Sequence, residues 1–526
     1  MALFTATLHP NVGLGFLVLG ASLHDTLTRL KAEPQRFPKL DLIYSPTQPV
    51  EEPVILTLSG NGIRLRFDGP EQRLRLIEII DFTRSRITYQ DKDLVKPSNT
   101  QGLLGSPKQG GTGDAVVGPA FKNVYHRLFG PTYAGEYIPP ADNSRHGLGT
   151  YILSYPGVAF SFPLPVSAYS PEKDVVTLLS SSASQTATSV AIFSGKSWAH
   201  AREALWTEVL PSIKSSYLFS KSKDVVPDEI SLIRIHGGGK LQLFKKWTNS
   251  SVWINLGETT PQDLVAELGP PDAIYRKNDQ RMYIHKTRTA SHSRSRSGGD
   301  YKRPDDLTDT DQSSAHTGSS DSDDEVIEDE AIGNVSGECF FNYFYLGFDV
   351  LVSPPVPPSR KPPSQENGAN ENSAFGESPL KAGTSDRLVA TKMVLHANVP
   401  GSYPFNRHRR CRWEIPYLSP AESDSVVVDS ETHFNEIEER LRNEWKHTYP
   451  SEADAMQRQR GMVLNRGWGD SPGSSCEFLG GWEDSSGGVA AKKFDGSEDS
   501  TTTLYGFPGL VFEVLKNGFV SAVTVF

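Results

Sequence analysis

The 526-residue chain has only three cysteines, Cys339, Cys411 and Cys476, and none of them forms a C-x-x-C pair. An odd, widely spaced set cannot cross-link completely and offers no zinc-ligand spacing. The thiols therefore read as small fillers in a reducing compartment. Excess positive charge is missing too. With 53 Lys and Arg against 63 Asp and Glu the net charge is −10, which argues against a general nucleic-acid binder. No stretch reaches the apolar length that spans a bilayer. The run GLGFLVLGASL (13–23) lacks the basic segment that opens a signal peptide and flows into HDTLTRLKA, so it reads as a strand entering a helix and not as a secretion signal. Hydrophobic residues are sparse at 37%, against 45 Gly and 37 Pro. Dilution of an ordinary core by disordered tracts explains that balance.

Catalytic motifs are absent as well. There is no G-x-S-x-G or H-E-x-x-H, and no G-x-G-x-x-G in a strand–helix setting. IHGGGKL (235–241) has Arg234 where a phosphate loop needs its first Gly and Leu241 where it needs Ser or Thr, so it reads as a turn between two strands. The thirteen His are scattered without metal-ligand spacing. The expectation is a protein that is not an enzyme, with no catalytic residues, no cofactor, no metal and no small-molecule substrate.

What is present is a set of short patterned segments. INLGETTPQDLVAELGPPDAIY (254–275) ends a strand at Gly257, caps a helix with Thr260, opens it with Pro261 and stops it at Gly269-Pro270. FKNVYHRLFGPTYAGEY (121–137) echoes it, and 19–32 and 429–445 are further helix candidates. Each helix is followed by period-two strands: Ile63, Leu65 and Phe67 on one face with Leu74, Leu76 and Glu78 in the return strand; then 155–165 with 188–195; 343–354 with 387–401; and 507–526 around the turn KNG. The fold class expected is α+β, about four tandem helix-plus-antiparallel-sheet units interrupted by long disordered insertions. The units are 1–91, then after a linker 92–118 the segments 119–212, 213–401 with insertions 286–337 and 353–387, and 402–526 with an insertion at about 446–503.

Two features carry candidate sites. The basic run NRHRRCRWEI (406–415) holds Arg407, His408, Arg409, Arg410 and Arg412. Such a cluster can contact phosphoinositide headgroups or other anions. The plainer alternative, a solvated edge strand or a face paired to the acidic insert, is preferred. Ser293 and Ser295 in a basic setting, and Ser320 and Ser322 in an acidic one, are candidate phosphorylation sites. The stretch ECFFNYFYLGFDVLV (338–352) has rings on both alternating faces, which suits one central strand covered on both sides.

Several stretches together resemble the phagosome assembly factor family: LDLIYS (40–45), ILTLSGNGIRLRFDGPEQRLRLIEIIDF (55–82), the FNYF-x-LG-x-D motif from Phe341 to Asp349, and the motif His396, Asn398, Pro400, Gly401, Tyr403, Phe405, Asn406, Arg410, Cys411. The resemblance implies a non-enzymatic adaptor or scaffold in autophagy, cytoplasmic and recruited to the phagophore assembly site in complex with a β-propeller partner. Membrane phosphoinositides would be met through that complex, and no nucleic acid is implied. The alternatives are a direct phosphoinositide-binding module and a vesicle-trafficking factor of the trans-Golgi network.

Overall fold

Alternation builds most of this protein. In Val54–Leu58 and Ile63–Phe67 every second side chain is buried, and the two strands pair antiparallel across a tight turn. The structure, a computed structural model, describes residues 3–95, 118–133, 135–140, 147–180, 186–210, 228–248, 250–276, 282–284, 338–355, 387–418, 427–465 and 501–526. Ser293, Ser295, Ser320, Ser322, Cys476 and nearly all of the expected linker and insertions at 92–118, 286–337 and 353–387 lie outside them.

Pairing extends to four sheets, arranged as one pattern used twice. In the first half an eight-stranded antiparallel sheet runs, in spatial order, Glu136–Ile138, Leu148–Tyr155, Val158–Pro165, Ser189–Ile192, Leu74–Ile79, Ile63–Phe67, Val54–Leu58, Leu40–Ile43. Beside it a five-stranded sheet runs Leu17–Val18, Gly13–Leu14, Phe4–His9, Ser85–Tyr89, Lys92–Asp93, with Phe4–His9 and Ser85–Tyr89 parallel. The second half repeats both orders. Its five-stranded sheet runs Ser251–Asn255, Lys240–Lys245, Ile230–Ile235, Trp413–Ile415, Val428–Asp429, again with the third and fourth strands parallel. Its large sheet runs Met462–Asn465, Thr501–Phe507, Leu510–Leu515, Val520–Val525, Val389–His396, Phe348–Ser353, Cys339–Tyr343, Ala273–Arg276, and adds a ninth strand, Met282–Ile284.

The helices fall at matching points. Leu23–Lys31 and Pro261–Leu268 precede equivalent strands of the large sheets, Leu40–Ile43 and Ala273–Arg276, and are capped by Ser22 and Thr260, whose side chains accept from the backbone N–H of Asp25 and Asp263. Phe121–Asn123, continuing as a π-helical turn Val124–Leu128, matches Phe434–Glu444. The buried residues Phe121, Val124 and Leu128 have the same spacing as Phe434, Ile437 and Leu441. Each half buries its own core, one drawn from residues 4–192 and the other from 230–525. Among the described residues no helix is long and apolar enough to cross a membrane.

Several expectations need correction. The fold is mostly sheet with few helices, and the four helix-plus-hairpin units do not close individually. Strands from 1–91 and 119–212 share one sheet through the pairing of Leu74–Ile79 with Ser189–Ile192. Strands from 213–401 and 402–526 share another through Val389–His396 and Val520–Val525. Period-two patterning fixes faces but not these long-range neighbours. The stretch 338–352 is a hairpin, Cys339–Tyr343 and Phe348–Ser353, turning where Leu346 and Gly347 both donate to the Tyr343 carbonyl and Gly347 takes φ +93°. A bulge at Arg75 shifts the register of Leu74–Ile79, so Leu74 joins Ile77 and Ile79 in the core while Leu76 faces away into a separate cluster. The start of the expected insertion at 446–503 is regular: a helix Glu452–Arg458 capped by Ser451, then the strand Met462–Asn465; its residues 466–500 lie outside the described ones.

Because Ile437, on the core-facing side of the helix Phe434–Glu444, is fully buried, Ile437→Ala should lower stability by roughly 2–5 kcal/mol. The exposed neighbour Glu439→Ala should stay within about 0.5 kcal/mol. Urea denaturation of the two variants checks the pair.

Candidate functional site

The segment that follows Val389–His396 turns back across the molecule, and the sequence shows how. Asn398 and Asn406 take left-handed backbone (φ +48° and +63°), a conformation Asn tolerates, and the Asn406 N–H donates to the Asn398 side chain at 2.6 Å. A Cβ on Gly347 would stand 2.6 Å from the Arg409 carbonyl oxygen, so only glycine lets the returning chain lie this close. The Arg409 N–H donates to the Phe344 carbonyl, and the Cys411 N–H to that of His396, both at 2.8 Å. Residues 408–412 are thereby laid between the two halves.

There the basic run meets acids. Arg409, only 2% exposed, donates to the Asp25 carboxylate at the start of the first helix. It also lies 3.3 Å from Glu229, with its guanidinium 3.9 Å over the Tyr345 ring. Glu229 binds Arg73 at 2.7 Å as well. Arg410 donates to the carbonyls of Pro70 and Ala397, both at 2.7 Å, and to Glu431 at 2.9 Å. Arg412 grips Glu431 with two bonds of 3.1 and 3.0 Å, and Lys246 meets Glu71 at 2.5 Å. Beside these ions Gln72 and Asn398 clasp each other, each side-chain amide donating at 2.8 Å. Val50 of the first half packs with Ala397, Val399 and Phe519 of the second.

Electrostatics follow from this interleaving. Burial alone would raise Asp25, Glu71 and Glu229, but their cationic neighbours outweigh it. All three are held below the ordinary carboxylate range, Glu71 at about 2. Arg409 feels the burial too, yet Asp25 and Glu229 carry it upward.

A second cluster anchors the same turn. Asp349 faces two imidazoles, one oxygen 2.9 Å from His396 Nε2 and the other 2.9 Å from His408 Nε2. The two rings stack at 3.8 Å and 15°. Burial pushes His408 down to about 3, against the pull of Asp349. Burial also disfavours the Asp349 charge, but His408 and His396 outweigh it and the carboxyl stays well below its usual range. A neutral His408 donating Nε2–H to an ionised Asp349 satisfies both directions.

This trio is also where a metal would be sought, since its donor atoms all lie within 4.8 Å of one another. The geometry fits hydrogen bonding better. Near-parallel rings send their Nε2 lone pairs side by side, so an ion shared by both would lie far out of each ring plane.

The headgroup candidate is therefore corrected, and so is the preferred solvated edge strand. His408, Arg409 and Arg410 are buried, and Arg409, Arg410 and Arg412 are tied to carboxylates, while His408 faces Asp349. These four make an internal joint and no exposed cationic patch. Arg407 is half-buried and has no acidic partner among the described residues. Sequence reasoning missed Asp25, Glu71, Glu229 and Glu431 because Asp25 stands 384 positions from Arg409 and no spacing rule reaches that far. Asp349 and His396 did carry a signal, since both are motif positions in 341–349 and 396–411.

The family model described as phagosome assembly factor 1 matches residues 13–301 and 383–526. A PHAF1 protein of Arabidopsis thaliana is 22% identical over 531 residues, spanning 99% of this chain and 92% of the plant protein. One of Drosophila melanogaster is 21% identical over 542 residues, 98% and 93% of the two chains. A third, of Caenorhabditis elegans, is 29% identical over 158 residues, 29% and 31% of the two. No solved structure matches.

Two outcomes follow from the joint. Arg409→Ala strands Asp25 and Glu229 as buried, less compensated charges and should cost roughly 3–5 kcal/mol in a denaturant titration. Because folded His408 titrates near 3 and an unfolded imidazole near 6.5, only the unfolded chain takes up this proton between those values. Stability should be full above 6.5 and fall as the pH drops toward 3, by up to about 1.4 kcal/mol per pH unit from this one group. His408→Gln should flatten that slope in melts recorded across the window.

Proposed function

The chain belongs to the phagosome assembly factor 1 family, and from that premise we propose that it is a non-enzymatic adaptor in phagosome assembly. It works in autophagy at the phagophore assembly site, in complex with a β-propeller partner, and meets phosphoinositide membranes through that complex.

One observation carries the adaptor over direct headgroup binding: Arg409 and Arg410 are buried and committed to Asp25, Glu229 and Glu431. Releasing them to a lipid would leave those carboxylates unpaired inside the joint. Two large sheets held rigidly together offer broad surfaces and sheet edges, which suit protein partners.

Flotation with phosphoinositide-containing vesicles separates the readings. The purified chain should stay with the unbound fraction, and the complex recovered from starved cells should float and contain a β-propeller protein. A bare chain that floats, and stops floating as Arg407→Ala, would falsify the adaptor reading.

A further inference from the structure

The internal repeat exposes a difference between equivalent edges. Leu40–Ile43 and Ala273–Arg276 occupy the same place in the pattern, each following the capped helix and pairing antiparallel with the next strand of its large sheet. On Ala273–Arg276 lies the ninth strand, in register Ala273 to Ile284, Ile274 to Tyr283 and Tyr275 to Met282. On the outer side of Leu40–Ile43 no strand lies among the described residues.

Beside this bare edge the sheet opens into a cleft of about 310 Å³ whose apolar lining is Ile43, Tyr44, Pro53, Ile55 and Trp206. Ile43 is 59% exposed and Trp206 37%. Farther in, the same sheet face is roofed: Leu76, Ile152, Ala159 and Phe193 lie under Trp198 and Ala201 of the helix Trp198–Glu203. At the rim, Asp41 is held by Lys39 at 3.6 Å and Arg66 by Glu78 at 2.8 Å. Glu51 and Glu52 are exposed and form no ion pair among the described residues; Glu52 lines the cleft together with Arg66, which is committed to Glu78.

We propose that Leu40–Ile43 takes an extended segment of the assembly partner as an added antiparallel strand. An apolar side chain of that segment enters between Ile43 and Trp206, and a neighbouring Lys or Arg meets Glu51 and Glu52. Main-chain bonds along an unpaired edge supply affinity and the cleft supplies selectivity. The chain's own ninth strand shows the backbone pairing at the equivalent place, and its sequence, with Met282, Tyr283 and Ile284 between Arg281 and Lys286, has the apolar and basic composition required of a probe. The inference rests on the adaptor reading for its partner, while the edge can be judged by itself.

A labelled peptide of residues 279–288, DQRMYIHKTR, is the probe, with the full chain as receptor. Hydrogen exchange should find those amides of 40–43 that point away from Val54–Leu58 open in the chain alone and protected by saturating peptide. Ile43→Asp and Trp206→Ala should each weaken peptide binding about tenfold or more, equivalent to at least about 1.4 kcal/mol, with melting temperatures unchanged. Outward amides already protected in the chain alone would mean that another part of it covers the edge, and would overturn the proposal. So would protection that appears only as protein concentration rises, which marks a second copy, or peptide binding that is absent or indifferent to both substitutions. Undiminished co-purification of the β-propeller protein with Ile43→Asp would overturn the docking and leave the adaptor standing. Its absence from the unsubstituted chain would sink the adaptor reading, with the peptide still deciding the edge.

Discussion

A guanidinium taken out of water must be surrounded by acceptors, and Arg409 is where that requirement fixes the whole molecule. It is supplied by the second half, Asp25 by the first helix of the first half, and Glu229 by the position just before the second half's first strand. Desolvating these groups costs several kcal/mol per ion before their attraction is counted. The surrounding cations and acids, with the Tyr345 ring beneath Arg409, offset that cost only in one arrangement. An apolar interface tolerates sliding by a few tenths of an ångström, but a buried ion pair with fixed hydrogen bonds does not. The relative orientation of the two large sheets is therefore set by electrostatics, while their separate stabilities come from their own apolar cores.

The repeat makes this division visible, because equivalent residues are put to different uses. Ser22 and Thr260 cap matching helices, and each accepts from an aspartate N–H three residues on. Asp263 completes the local motif, accepting back from the Thr260 N–H at 3.0 Å at the surface. Asp25 gives its carboxylate to Arg409 instead. Its place in the first turn of a helix favours a negative charge in either role. A position well suited to an acid as a cap thus also serves as a long-range anchor, with the same backbone around it.

Much of the local structure was legible in the sequence. Thr260, Pro261 and Gly269 announced a helix that forms as read, and Gly237, Gly238 and Gly239 all adopt positive φ in the turn foreseen at IHGGGKL. The sheet-wide partners were not legible, since alternation in Leu74–Ile79 says which residues face inward but not that Ser189–Ile192 lies alongside. The inserted Arg75 shows a further limit, because a bulge moves Leu76 to the other face without any change in composition. The candidate site was half legible. Motif positions Gly347, Asp349, His396, Asn398, Arg410 and Cys411 all lie at the returning turn, but a motif names positions and not their distant counterparts. The cationic run 407–412 looked like a surface feature because charge is usually solvated, and its partners, Asp25, Glu71, Glu229, Asp349 and Glu431, came from five separate segments.

A joint of this kind suits the proposed adaptor for a physical reason. Holding two partner surfaces at a fixed separation keeps the effective concentration of one partner near the other high, whereas a loose hinge spreads it over a larger volume. Exposed ion pairs would loosen with salt, since charges in water are screened over about 8 Å at physiological ionic strength. Arg409, Arg410 and Glu229 are nearly inaccessible to counterions, so the geometry they set is insensitive to that screening. The acids and bases of the seam act as fixed structural dipoles in a low-dielectric interior, and the surfaces left over for recognition are the unpaired strand edges and clefts of the two sheets. On this argument, charge reversal at the seam and substitution at a sheet edge act on different quantities. The first changes where the surfaces are held, and the second changes what they hold.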